Sequence, residues 1–209
     1  MDLFFILALV FTSVISVTFI IERGVALRWR KIIPASVEGA VQSYTSGADL
    51  GRLQLACQEN PSTVSRLLLF ASEHLDWSKS ESVELIETRA RHEVTKLERG
   101  LVVLEIIVGI APLLGLVGTI YGLITLFASM GQDVNSAKFA QGISLALYAT
   151  LMGLLIAIPT LVAWSYYSKK VENLSVELES MCDEFLRKHY GSEDFEEPVV
   201  VTKRRRASQ

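Results

Sequence analysis

Residues 106–132 read IIVGIAPLLGLVGTIYGLITLFASMGQ, 27 positions without a charge. Residues 139–168, FAQGISLALYATLMGLLIAIPTLVAWSYYS, give 30 more, and residues 3–21, LFFILALVFTSVISVTFII, give 19. A helix that crosses a bilayer needs about 20 mostly apolar residues. Each run is long enough, and the chain has too few other residues to bury three such helices in a soluble core. Half of the 209 residues are apolar and the mean hydropathy is +0.36, which excludes a disordered chain. The expected fold is an all-α membrane protein with three transmembrane helices.

The charges around the runs set the expected orientation. Only Asp2 precedes the first run, whereas Arg23, Arg28, Arg30 and Lys31 follow it. A signal peptide carries its basic residues in front. An uncleaved anchor with its N-terminus outside fits the order found here. Residues 1–22 are then the first span, 23–100 a cytoplasmic helical segment and 101–132 the second span. Residues 133–138 are an external loop, 139–168 the third span, 169–190 a cytoplasmic helix and 191–209 a disordered tail. Eleven Lys and Arg fall in the first cytoplasmic segment and eight after residue 168, leaving only Lys138 outside.

Two apolar stripes carry the spans beyond the bilayer. Val83, Ile86, Ala90, Val94, Leu97, Leu101, Leu104 and Val108 recur at gaps of three and four, one face of a helix. Trp164, Tyr167, Val171, Leu174, Leu178, Met181 and Phe185 do the same after the third run. Either stripe can pack within its own subunit or against a neighbour. In the segment between the first two spans, Pro34 and Asn60-Pro61 punctuate, and Ser62 is a candidate cap for a helix holding Leu67, Leu68 and Phe70. The tail turns acidic after Gly191 and then basic at Lys203 to Arg206. It reads as a solvated tail, with anionic lipid headgroups as the other reading.

Within the spans, Gly115, Gly118 and Gly122 share one side of the second helix, with Thr119 among them. Ala146, Ala149, Thr150, Gly153 and Ala157 share one side of the third. Lipid supplies no hydrophobic drive between helices, so small residues that allow close packing hold them together. The hydroxyls of Thr119, Thr150, Ser144 and Tyr148 have two readings. They bond back to their own helix, or they line a wet path for an ion. Pro112 and Pro159 should kink their helices and free the carbonyls of Val108 and Leu155. Glu105 lies inside the expected limits of the second span, near its cytoplasmic end, and either snorkels to the headgroups or acts in function.

The stretch from Ile110 to Gly122, IAPLLGLVGTIYG, resembles the signature of the MotA/TolQ/ExbB proton-channel family, nearest to ExbB and TolQ. The stretch from Gly142 to Pro159, GISLALYATLMGLLIAIP, agrees with it. The resemblance covers all but about the last 20 residues. It implies the ring subunit of an ion-driven motor in the bacterial inner membrane, a pentamer around two single-span partner helices of the ExbD/TolR kind. It also admits a TonB/TolA-like periplasm-spanning protein as a further partner. The partner's membrane aspartate would carry the ion, and Thr119 and Thr150 match the family's path threonines. The family's glutamate is replaced here by Leu145, which leaves sodium open beside the proton. A passive scaffold for the partner is the remaining alternative.

Other classes have little support. His74, His92 and His189 are scattered, Cys57 and Cys182 are far apart, and no glycine-rich phosphate loop follows a strand. The expectation is a protein that is not an enzyme, without cofactor or metal site. The balance of 20 basic and 23 acidic residues gives no case for nucleic acid.

Overall fold

The computed structural model describes residues 3–45, 49–128 and 136–191. Among these described residues seven helices follow in order: α1 (Leu3–Ala26), α2 (Trp29–Ile32), α3 (Ala35–Ser43), α4 (Leu50–Glu59), α5 (Thr63–Ser72), α6 (Lys79–Ala128) and α7 (Ser136–Tyr190). No strand occurs among the described residues. Three helices among the described residues are long and apolar enough to cross a membrane: Phe4–Ala26, Lys79–Ala128 and Phe139–Tyr190. Only 11%, 33% and 28% of their most apolar windows are buried within the chain. Most of that surface must therefore meet lipid or other helices, and the chain is an all-α membrane protein with three spans.

Local signals explain where the helices begin and end. Pro34 precedes α3 in an extended conformation, as a residue outside the first turn can. Ser62 caps α5, its Oγ accepting from the Ser65 backbone N–H at 3.2 Å. Gly191 ends α7 with φ +81°, the left-handed conformation that glycine adopts without strain. α6 runs unbroken through Gly100 and Pro112, and α7 through Pro159.

Two helices run beyond the expected limits of their spans. α1 continues past residue 22 to Ala26, because Arg23 and Gly24 are engaged by the other long helices, as described below. α7 starts at Ser136, so residues 136–138 are its first turn rather than loop. Ala137 and Lys138 are good helix formers, and nothing there breaks the helix. The rest of the expected loop, at 133–135, lies outside the described residues, as do 129–132 at the end of the second run and 192–209 in the tail.

The chain divides into two compact units. One comprises residues 1–32 and 91–176, and so contains α1 with the middle parts of α6 and α7. Here Ile107, Ala111 and Ala157 are buried, with Ile15, Val103 and Ile156 packed on them. The stripe residues Leu101, Leu104, Val171 and Leu174 are buried in the same unit.

The other unit comprises residues 33–90 and 177–209. Its core includes Val37, Val41, Leu53, Leu67, Leu68 and Phe185. Stripe residues Ile86, Ala90, Leu178 and Met181 are buried here. Both stripes are thus satisfied inside one chain. The last turns of α7 are fastened to this core by polar contacts. Lys188 Nζ donates to the carbonyls of Val41 and Gln42 at 3.0 and 2.7 Å, which satisfies the open C-terminal end of α3. The Tyr44 hydroxyl lies 2.9 Å from His189 Nδ1. Tyr190 donates to the carbonyl of Leu75 at 3.1 Å, with its oxygen the same distance from the Ser82 hydroxyl.

Candidate functional site

The small-residue faces of α6 and α7 meet. A Cβ built on Gly115 would stand 2.7 Å from the Ala149 carbonyl oxygen and 2.9 Å from Thr150 Cα. One built on Gly153 would stand 2.5 Å from the Ala111 oxygen and 3.2 Å from Gly115 Cα. The two backbones are therefore in contact where these glycines face each other. On either side the fit is looser. Cβ atoms at Gly118 and Gly122 would meet those of Ala149 and Ala146 at 3.0 and 3.1 Å. Ala111, Ala146, Ala149 and Ala157 are all buried. Contact this close is what allows dispersion to join helices in lipid.

The same contact carries two hydroxyls. Thr119, 7% exposed, places Oγ1 3.1 Å from the Gly115 carbonyl oxygen and 3.1 Å from that of Ala146 across the interface. Thr150 is half-buried. Its Oγ1 is in a short contact with Thr119 Oγ1 and 3.3 Å from the Gly115 oxygen. Each threonine has one hydroxyl proton and an oxygen that also accepts. Two protons thus face two carbonyls and one another's oxygens. More than one pattern of donation fits the same heavy-atom positions.

Ser144 and Tyr148 do not join this pair. Both are exposed, and Tyr148 lines a cleft between α7 and α1 together with Leu145. Helical geometry explains the separation, because Tyr148 and Thr150 are two residues apart and point to nearly opposite sides. Leu145 is exposed and lines the same cleft. Glu105 is exposed and lines a separate 280 Å³ cleft with Glu98, Trp164 and Ser168.

Three contacts of α1 had no signal in the sequence. Ser16 Oγ and Thr160 Oγ1 lie 2.6 Å apart, both buried. Thr160 Oγ1 also donates to the Ile156 carbonyl at 2.6 Å, so Ser16 donates to Thr160. Tyr167 donates to the Ile20 carbonyl at 2.9 Å, passing Gly24, where a Cβ would meet the same hydroxyl at 2.9 Å. Arg23 lies against Gly100 and donates through Nη1 to the Leu97 carbonyl at 3.1 Å, while Nε pairs with Glu22 at 2.6 Å. By contrast, Thr12 and Thr18 bond back to Ala8 and Val14 of their own helix.

The histidines serve separate local contacts. His74 Nδ1 is 2.8 Å from the Phe70 carbonyl, His189 meets Tyr44, and His92 is exposed. Both cysteines are free and buried. Burial pushes the Cys57 thiol up to about 11 and the Cys182 thiol up to about 12, so neither forms a thiolate near neutral pH. No group of three His, Cys, Asp or Glu suited to a metal ion occurs among the described residues.

Comparison with known proteins places these features. Residues 62–180, which include both threonines of the contact, match the model of the MotA/TolQ/ExbB proton channel family. The chain is 29% identical to the Tol-Pal system protein TolQ of Pseudomonas aeruginosa, over 90% of this chain and 89% of that one. It is 30% identical to an ExbB homolog of Methanothermobacter thermautotrophicus over 68% of this chain, but spans only 51% of that protein. It is also 30% identical to the biopolymer transport protein ExbB of Aquifex aeolicus, over 53% of this chain and 76% of the relative.

Proposed function

This chain belongs to the MotA/TolQ/ExbB proton channel family, and from that premise we propose that it is the ring subunit of an ion-driven motor in a bacterial inner membrane. The ring, a pentamer by family resemblance, surrounds a single-span partner of the ExbD/TolR kind, and a TonB/TolA-like protein can carry the work onward. Protons are the driving ion. The role is mechanical and conductive rather than enzymatic.

The observation that carries this reading is the Thr119–Thr150 hydroxyl contact between two spans whose uncharged runs contain no acid of their own. A carboxylate from a partner helix would supply the missing charge. One elementary charge crossing 100 mV releases about 2.3 kcal/mol. Protonation would neutralise the partner's acid, which could then pass an apolar wall, and the threonine hydroxyls would hand the proton along by switching donors. The Gly115–Gly153 contact fixes the distance between the two oxygens.

The test is reconstitution of the chain with its single-span partner in liposomes under an imposed pH gradient. Proton flux that requires the partner and is lost in Thr119→Val and Thr150→Val supports the role. Full flux in both variants removes the path. A second reading, sodium as the driving ion, rests on the resemblance, which puts Leu145 where a glutamate is usual. Flux that follows the sodium gradient and ignores pH would select it. A passive scaffold would show no flux of either ion with the partner bound.

A further inference from the structure

We propose that Arg28, Trp29, Arg30 and Lys31, which follow the first span, form a binding surface for the headgroup of an anionic phospholipid in the cytoplasmic leaflet. The inference does not depend on the motor reading. It rests on the depth at which the chain leaves the bilayer and on which of its charges are already paired.

A contact between two spans fixes that depth. The first uncharged run ends at Ile21 and the third at Ser168. Tyr167 donates to the Ile20 carbonyl at 2.9 Å, so the two runs end at one level. Past this level α1 continues from Ile21 to Ala26, a rise of about 8 Å. A headgroup layer is about 5–8 Å deep on each side of the hydrocarbon core. The four residues after Leu27 therefore stand at its outer margin, where long basic side chains reach the phosphates.

Local structure holds them there. Leu27 is fully buried and Ile32 is 2% exposed, so the segment is anchored at both ends. The Leu27 N–H donates to the Arg23 carbonyl and the Lys31 N–H to that of Arg28, both at 2.9 Å. Between the anchors all four side chains are exposed.

Charge selects the partner. Residues 23–37 hold four basic residues and no acid. Arg23 is paired with Glu22, as Lys96 is with Glu93 and Lys169 with Glu172. Arg28, Arg30 and Lys31 make no ion pair or side-chain hydrogen bond among the described residues. Three cations within four positions repel one another, and an anion between them relieves the repulsion. At this depth that anion is a lipid phosphate, which the guanidinium fork of an arginine meets with two hydrogen bonds. A zwitterionic lipid brings a cation of its own and gains less. The Trp29 indole, 42% exposed, suits the same layer, with an apolar ring beside the lipid and an N–H toward water.

The test measures lipid binding to the full-length protein in detergent by native mass spectrometry, with phosphatidylglycerol and phosphatidylcholine of identical chains. The wild type should hold phosphatidylglycerol at least about fivefold more tightly, the effect of one basic residue near an anionic surface. Arg28→Gln with Arg30→Gln and Lys31→Gln should bring the two lipids within about twofold. Lys169→Gln, which removes a cation already paired, should leave the preference unchanged. Equal binding of both lipids by the wild type, or an unchanged preference in the triple variant, overturns the site. So does full displacement of phosphatidylglycerol by an equal concentration of inorganic phosphate, which would make the ligand a free anion. Two further readings need no change to the basic residues. Raising the salt about tenfold should weaken the preference, and a preference indifferent to salt would refute it. Trp29 fluorescence in liposomes, taken as the difference between wild type and Trp29→Phe, should be quenched more by a nitroxide on the headgroup than by one in mid-chain. Stronger quenching from mid-chain, or none from either position because a second copy covers the patch, would overturn the proposal too.

Discussion

The Ser16 hydroxyl donates to Thr160 across 2.6 Å, joining the first span to the third at positions where both side chains are buried. Hydrogen bonds between membrane helices average about 0.6 kcal/mol and reach about 1.7. Ser16→Ala and Thr160→Val should each destabilise the fold by about 1 kcal/mol. The double variant should lose less than the sum of the two, because either change removes the same bond. Unfolding titrations in mixed micelles measure the cycle. Strict additivity would show that the two hydroxyls do not act together.

At the α6–α7 contact, Gly153→Ala and Gly115→Ala each drive a methyl into a backbone oxygen. Overpacking of this kind costs about 1–3 kcal/mol. Gly109→Ala is the matched control, because nothing lies within 4 Å of its added Cβ. Thermal unfolding in detergent should show a clear loss for the first two and almost none for the third. Equal behaviour of all three would contradict the close approach.

Within the hydroxyl pair, shape and chemistry can be separated. Thr119→Val keeps the volume and removes the oxygen, while Thr119→Ser keeps the oxygen and removes a methyl. Partner-dependent flux should fall at least tenfold in the valine variant and stay within about threefold of wild type in the serine variant, since proton hand-off contributes on the order of 10²–10⁴ where it is required. If serine and valine are equally impaired, packing alone explains Thr119.

The buried thiols give a prediction that depends on pH. With values of about 11 and about 12, Cys57 and Cys182 should resist alkylation in the folded protein at pH 8 and react at once when it is denatured. The sign for stability follows from proton binding. Above about pH 9 the unfolded thiols ionise while the folded ones keep their protons, so the folded state loses stability as pH rises. Mass spectrometry after iodoacetamide treatment reads the first effect and unfolding midpoints across pH 8–11 read the second. Rapid labelling of the folded protein at pH 8 would contradict the burial.

What the sequence made legible was whatever repeats or interrupts. The stripe from Val83 to Val108 recurs every three or four residues, and the chain buries four of its eight residues and half-buries the others. Ser62 declared itself as a cap because a hydroxyl follows Asn60-Pro61 and precedes an apolar run. The glycine faces were readable because one helix carries the spacing by itself. Contacts between helices were not. Ser16 and Thr160 are 144 positions apart, and nothing local marks either as the other's partner. Nothing local explains a glycine at 100 inside a long helix, whereas in the fold its missing side chain leaves room for Arg23. Tyr148 stands two positions from Thr150 in the sequence, yet a two-residue step on a helix turns its side chain away.

Pro112 has a mechanical consequence for α6. An uninterrupted helix of 50 residues, about 75 Å long, behaves as a stiff lever, since every turn is braced by the next. Proline removes one brace, the bond to the Val108 carbonyl, less than one turn before the Gly115 contact. Bending is therefore cheapest just beside the pair of hydroxyls. A torque applied to either arm of the lever would spend its deflection there, altering the spacing of the two oxygens before disturbing anything farther away.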